Sequence, residues 1–181
     1  MRWFWIDRFT EFESGTRATA IKNVSLAEEH LHDHFPGAPT MPNSLVIEGL
    51  AQAGGLLVAE HGGWVERVVL AKLSKATFHF HAVPGDTITY RAVLDDVQKD
   101  GARVSGTSHV GERLQAEVEL FFAHLGEDTA GKSLFDPASF LALLKMLGVF
   151  TVGRAADGRP LQIPEHLLRS ERGYEVDELV S

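Results

Sequence analysis

Apolar and polar side chains alternate most regularly between Arg113 and Phe122, where Leu114, Ala116, Val118, Leu120 and Phe122 interleave with mostly polar neighbours. A period of two predicts a strand with one face buried. Ile88, Tyr90, Ala92 and Leu94 share a face in the same way, and weaker β-rich stretches cover Trp3 to Phe9, Thr16 to Val24, Val68 to Val83 and Ala102 to Val110. About six strands are expected. Pro84-Gly85-Asp86 and Asp100-Gly101 are turn formers between successive strands, so neighbours are predicted to pair antiparallel through short connections.

One segment departs from this β pattern. Pro42 to about Glu60 reads as a helix, opened by a proline and closed by Gly62-Gly63. Its apolar residues run nearly all the way round, the composition of a helix buried inside a protein. A long central helix and a curved antiparallel sheet predict an α+β architecture with the sheet wrapped around the helix. After Leu125 the pattern changes: Gly126 to Lys132 reads as a linker, Pro137 to Leu147 as an amphipathic helix and Ser170 to Ser181 as an acidic tail. The expected division is a domain over residues 1–125 and an extension over 126–181, whose apolar face packs on that domain or on a dimer mate.

A chain of 181 residues, 44% hydrophobic, builds one domain with a full core and excludes two large ones. The absence of cysteine removes disulfides, thiolate metal sites and a cysteine nucleophile, and makes a reducing cytoplasm the expected location. With 17 Lys+Arg against 25 Asp+Glu the net charge is -8, which opposes a phosphate backbone, so no nucleic-acid partner is expected. No apolar run reaches the length of a membrane span, and MRWFWIDRFTEFE lacks the apolar stretch of a signal peptide.

Candidate chemistry gathers around the helix. Ser44, Glu48 and Gln52 are spaced four apart and form a polar stripe on its otherwise apolar surface. A buried carboxylate there needs partners; without them it takes up a proton, which is the state a general acid uses. The same stripe also fits a purely structural network in which Gln52 and backbone groups satisfy Glu48. Upstream, Asp33-His34-Phe35-Pro36-Gly37 is a loop that can hold a histidine tightly, and it reaches Pro42 within eight residues. The free N–H groups at the start of the helix, around Asn43 to Leu45, could stabilise an enolate oxygen. His30, His32 and His34 alternate, as do His79 and His81, and either set would share a face if extended, which opens a zinc-binding alternative. Gly106-Thr107-Ser108-His109 lacks the last glycine of a nucleophile elbow.

The run DHFPGAPTMPNSLVIEGLAQAGGLL resembles the active-site segment of the 3-hydroxyacyl-acyl-carrier-protein dehydratases, the FabZ/FabA group of hotdog-fold enzymes. AKLSKATFHFHAVPGDTI resembles their later strand with its Pro-Gly-Asp turn, and the likeness spans roughly Trp3 to Leu125. It implies a hotdog fold and dehydration of 3-hydroxyacyl thioesters to trans-2-enoyl thioesters in fatty-acid-type metabolism, without a metal or organic cofactor. His34 is implied as the catalytic histidine and Glu48 as the catalytic acid, each from a different subunit of a homodimer or larger homo-oligomer. Phe35, Gly37, Asn43, Ser44 and Gln52 are expected around the substrate, and the four-residue spacing alone motivates the expectation that Gln52 orients Glu48. Glutamate at position 48 implies dehydration without double-bond isomerisation. The substrate would arrive on an acyl carrier protein or coenzyme A. Asn43 stands where the family has glycine, and His79 and Phe80 stand where it has basic residues. A non-catalytic acyl-binding or scaffold subunit, or an acyl thioesterase on the same fold, remain alternative expectations.

Overall fold

The computed structural model describes residues 4–125 and 136–170. The expected linker Gly126 to Lys132, and all but the first residue of the expected acidic tail, lie outside the described residues.

Strand alternation builds the core. β4 (Thr87–Gln98) turns Ile88, Tyr90 and Ala92 inward, and β6 (Arg113–Leu125) turns Ala116, Val118, Leu120 and Phe122 inward. Between them β5 (Gly101–Val110) adds Ala102 and Val104. With β1 (Arg8–Glu13), β2 (Arg17–Asn23), β3 (Arg67–Phe78) and the two-residue β7 (Gly153–Arg154), they form one sheet ordered β3-β6-β5-β4-β2-β1-β7. The core-facing side of this sheet packs on α2 (Asn43–His61), which buries Val46, Leu50, Ala53, Leu57 and Val58. This is the α+β arrangement expected from the pattern.

Four expectations need correction. The first strand starts at Arg8 rather than Trp3, because Trp5 and Ile6 are buried as irregular chain and the Trp5 N–H donates to Gln52 Oε1 at 2.8 Å. The strand expected to reach Val83 ends at Phe78. Beyond it the backbone turns to serve other partners: Ala82 O accepts from Met41 N–H at 2.8 Å, and Val83 N–H donates to Asp86 Oδ2 at 2.9 Å. The sheet has a seventh strand, and its pairing is not wholly antiparallel, since β7 runs parallel to β1 with Phe12 opposite Gly153. Finally, α2 is not covered all round, because one chain supplies a sheet for only part of its circumference. Ser44 and Glu48 are exposed, and Gln52, Gly55 and Leu56 are half-buried.

The extension completes this core. α3 (Pro137–Met146) starts with an Asp136 side chain that accepts from Ser139 N–H, and α4 (Val149–Val152) follows the left-handed Gly148. Leu141, Leu144, Leu147 and Val149 are fully buried, and Leu147 O accepts from Phe9 N–H at 2.8 Å. Trp64, just beyond α2, lies 5.9 Å from the ring of Phe140 and 6.4 Å from that of Phe12. It ties the extension to both α2 and β1. A helical stretch over 165–170 ends the described residues.

Candidate active site

His34 lies just after the short helix α1 (His30–Asp33). That helix corrects the extended reading of His30, His32 and His34, whose side chains therefore do not share a strand face; α1 buries Leu31 in the core, and the Leu31 and His32 N–H groups donate back to Glu28 O and Glu29 O, each at 3.0 Å. After it, the loop closes on itself. Ala38 N–H donates to Phe35 O at 2.9 Å, and Gly37 takes a φ of +77° that a side chain would resist. Thr40 N–H donates to His34 O at 2.8 Å, so the segment that leads into α2 is bound back to the histidine. Phe35 is 59% exposed and stacks on the His34 ring at 4.2 Å.

The imidazole itself is oriented. His34 Nδ1 lies 2.9 Å from Thr40 O, with Thr40 Oγ1 at 3.4 Å. A backbone carbonyl only accepts, so Nδ1 carries the hydrogen and the neutral ring keeps its lone pair on Nε2. This is the tautomer that a base needs. Thr40 went unnoticed in the sequence because its contribution is a backbone carbonyl.

At the start of α2, Pro42 is the cap residue, and its carbonyl accepts from Leu45 N–H at 3.0 Å and Val46 N–H at 3.2 Å. The Leu45 N–H expected to be free is therefore committed, which leaves those of Asn43 and Ser44 at the helix entrance. Asn43 Oδ1 is buried, without a hydrogen-bond partner among the described residues.

One turn further along, Glu48 is exposed in the single chain, against the expectation that the helix would bury it. Gln52 Nε2 donates to Glu48 Oε1 at 3.0 Å, while Gln52 Oε1 accepts from Trp5 N–H at 2.8 Å. The amide is thus held at both ends. Its nitrogen is directed at the carboxylate because its oxygen is occupied by the N-terminal backbone. The four-residue spacing signalled the Gln52–Glu48 contact, whereas nothing in the sequence marks a main-chain donor at Trp5.

Glu48 and Gln52 stand at a groove of about 800 Å³ lined mainly by apolar side chains. His34 is not among its lining residues, so within one chain the groove holds the carboxylate without the imidazole. Neither of the other expected substrate neighbours in the His34 loop, Phe35 and Gly37, lines it either. His79 is paired with Glu117 at 3.2 Å, and the Arg113 guanidinium sits 4.1 Å over the Phe80 ring, bringing one cation to the end of β3 from the neighbouring strand. The described residues contain no helix long and apolar enough to cross a membrane.

Comparison with known proteins places these features in context. The chain is 39% identical over 119 residues to a protein of Desulforamulus reducens named 3-hydroxyacyl-[acyl-carrier-protein] dehydratase FabZ, covering 65% of this chain and 84% of that one. A FabZ of Clostridioides difficile is 37% identical over 121 residues, with coverages of 65% and 84%. Among solved structures, a Streptococcus mutans protein bound to acetyl CoA superposes with a TM-score of 0.58 at 16% identity, covering 70% of this chain and 94% of that one. A conserved protein of Pseudomonas aeruginosa gives 0.55 at 17% identity, with coverages of 65% and 87%. These two likenesses concern the fold, a hotdog. A family model described as a FabA-like domain matches residues 3–114, from the buried N-terminal segment through α2 to the start of β6, and on that match the chain belongs to the FabA-like family.

Proposed function

We propose that this chain dehydrates 3-hydroxyacyl thioesters reversibly to trans-2-enoyl thioesters in fatty-acid biosynthesis, acting in the cytoplasm on acyl groups carried by acyl carrier protein or coenzyme A. The observation that carries the reading is the His34–Thr40 hydrogen bond, which leaves Nε2 as an acceptor beside the entrance of α2. His34 Nε2 takes the proton from C2, and the electron pair released forms the C2=C3 bond. The C3–O bond breaks as protonated Glu48 delivers its proton, and the hydroxyl leaves as water. The Asn43 and Ser44 N–H groups hold the thioester oxygen while negative charge develops on it. Gln52 acts through Glu48 as a positioning residue.

The site is completed by a second copy, with His34 of one subunit facing Glu48 of the partner subunit. Two features support this. Glu48 stands open in a groove that lacks His34, and among the described residues β3 has no strand on its outer edge, with Leu70 and Leu73 each about 40% exposed.

The test is incubation with 3-hydroxyacyl and trans-2-enoyl thioesters, following enoyl absorbance against release of free thiol. Reversible enoyl formation without thiol release is expected, and thiol release alone would replace dehydration by thioester hydrolysis. His34→Asn and Glu48→Gln should each lose about 10²- to 10⁴-fold in turnover with unchanged circular dichroism. Near-normal dehydration in either variant would remove that residue from the mechanism.

A further inference from the structure

Glu48, Ala51, Gln52, Gly55, Leu56 and Ala59 recur at helical spacing and form one stripe along α2, and this stripe is one wall of the groove. Val68 and Leu70 of β3 and Phe122 of β6 line it as well, with Phe122 tight against the helix: a Cβ at Gly55 would come within 3.2 Å of its ring. Phe4 and Ile6 of the N-terminal segment contribute too, and the extension adds Phe140 and Leu143 of α3, Leu147 at its C-terminal cap, and Leu167. Trp64 stands where α2 ends, in contact with Phe140, so α3 meets the groove at the end away from Glu48.

We infer that the C-terminal extension is a specificity element: α3 forms the far wall of the acyl-chain site and sets the longest chain accepted. The inference rests on the dehydratase reading for the identity of the reacting group at Glu48. Three observations favour an alkyl chain as the occupant. A carboxylate and its amide partner, Glu48 and Gln52, line the groove. Its lining is mainly apolar, the polar side chains besides Glu48 and Gln52 being Glu66 and Arg67 beyond the end of α2 and His166 and Ser170 in the extension. Its length also fits. From Glu48 to Ala59 is eleven residues, about 16 Å of helix at about 1.5 Å each. An extended alkyl chain advances about 1.25 Å per carbon, given a tetrahedral bond of about 1.5 Å, so the track holds about a dozen carbons.

The experiment measures kcat/KM for a series of trans-2-enoyl coenzyme A thioesters from four to sixteen carbons, on the full chain and on three variants. Saturated acyl coenzyme A thioesters of the same lengths are titrated calorimetrically in parallel, a readout independent of turnover. Leu143→Trp should lower the ratio of long-chain to short-chain kcat/KM by about ten-fold or more, and truncate the affinity series at the same length. Phe140→Ala should move both profiles toward longer chains. Met146→Ala, on the exposed face of α3, should leave the length profile where it was. Length profiles unchanged in both Leu143→Trp and Phe140→Ala would overturn the inference. So would a Leu143→Trp chain whose self-association weakens while its length profile stays fixed, since the groove would then hold a second copy. A chain that binds acyl groups in a length-dependent way cut short by Leu143→Trp, yet hydrates none of them, would uphold the inference and overturn the dehydratase reading.

Discussion

Gly49 on α2 and Tyr90 on β4 approach so closely that no side chain fits between them: a Cβ at Gly49 would lie 2.5 Å from Tyr90 Cζ. The glycine sets the height of the helix above the sheet, and Glu48 is its neighbour in sequence. Gly49→Ala must push helix and strand apart, and should cost about 1–3 kcal/mol, read as a lower urea midpoint, together with turnover. The Tyr90 hydroxyl is buried without a hydrogen-bond partner among the described residues, and burial pushes its pKa well above the ordinary value. Tyr90→Phe removes that unsatisfied group and should be neutral or stabilising by about 1 kcal/mol. A clear loss of stability in Tyr90→Phe would mean the hydroxyl has a partner.

Gln52 joins two otherwise separate parts, the N-terminal backbone at Trp5 and the carboxyl of Glu48. Gln52→Leu keeps the bulk and removes both bonds. Turnover should fall about ten-fold with a displaced pH profile, and the Trp5 amide should exchange faster with solvent. If the Trp5 amide stays protected while turnover falls, the two ends of the amide are not coupled.

Stability should depend on pH through His109. Burial first, and the nearby Arg91 second, hold its pKa below the ordinary 6.5, with Glu112 opposing them. The unfolded chain then takes up the proton more readily than the folded one in the interval just below pH 6.5. Stability is therefore full above that value and declines as the pH falls through the interval. His30, lowered chiefly by burial, adds in the same direction. The urea midpoint should drop between pH 7.5 and 5.5, and drop less in His109→Gln. An identical decline in that variant would assign the effect to other groups.

Carrier dependence should be modest. A chain of net charge -8 repels an acidic carrier at long range, and Arg113 over Phe80 supplies one local cation where a basic pair was missing from the sequence. Carrier and coenzyme A thioesters of the same acyl group should differ by no more than about ten-fold in kcat/KM, and Arg113→Ala should weaken only the carrier substrate, at low salt. A hundredfold carrier preference that collapses with salt would reveal a larger basic docking surface.

Legibility in the sequence followed how completely one chain satisfies each element. β6 was readable because Leu114 to Phe122 alternate against a single core, although Gln115 belongs to that core too, accepting from Ser108 Oγ at 2.7 Å. β3 was blurred at its end, being an edge strand exposed along most of its length. The helix was legible as an element, whereas its cover was not: an apolar circumference tells that something packs on it without telling whether the same chain provides it. The His34 loop and Glu48 were marked by residue type and spacing. The groups that hold them, Thr40 O and Trp5 N–H, are backbone atoms, which any residue carries and no motif reports.

The pairing of β7 with β1 has a consequence for growth. A twisted sheet has two rims, and a protein that leaves both sticky can add copies without end. Here the extension answers the outward groups of β1: Phe9 N–H reaches Leu147 O and Ser14 N–H reaches Arg154 O, each at 2.8 Å. That rim is covered, and among the described residues the rim along β3 has no strand beside it. If two copies join β3 to β3, the open rim of each is used up, and growth along the sheet would stop at that pair.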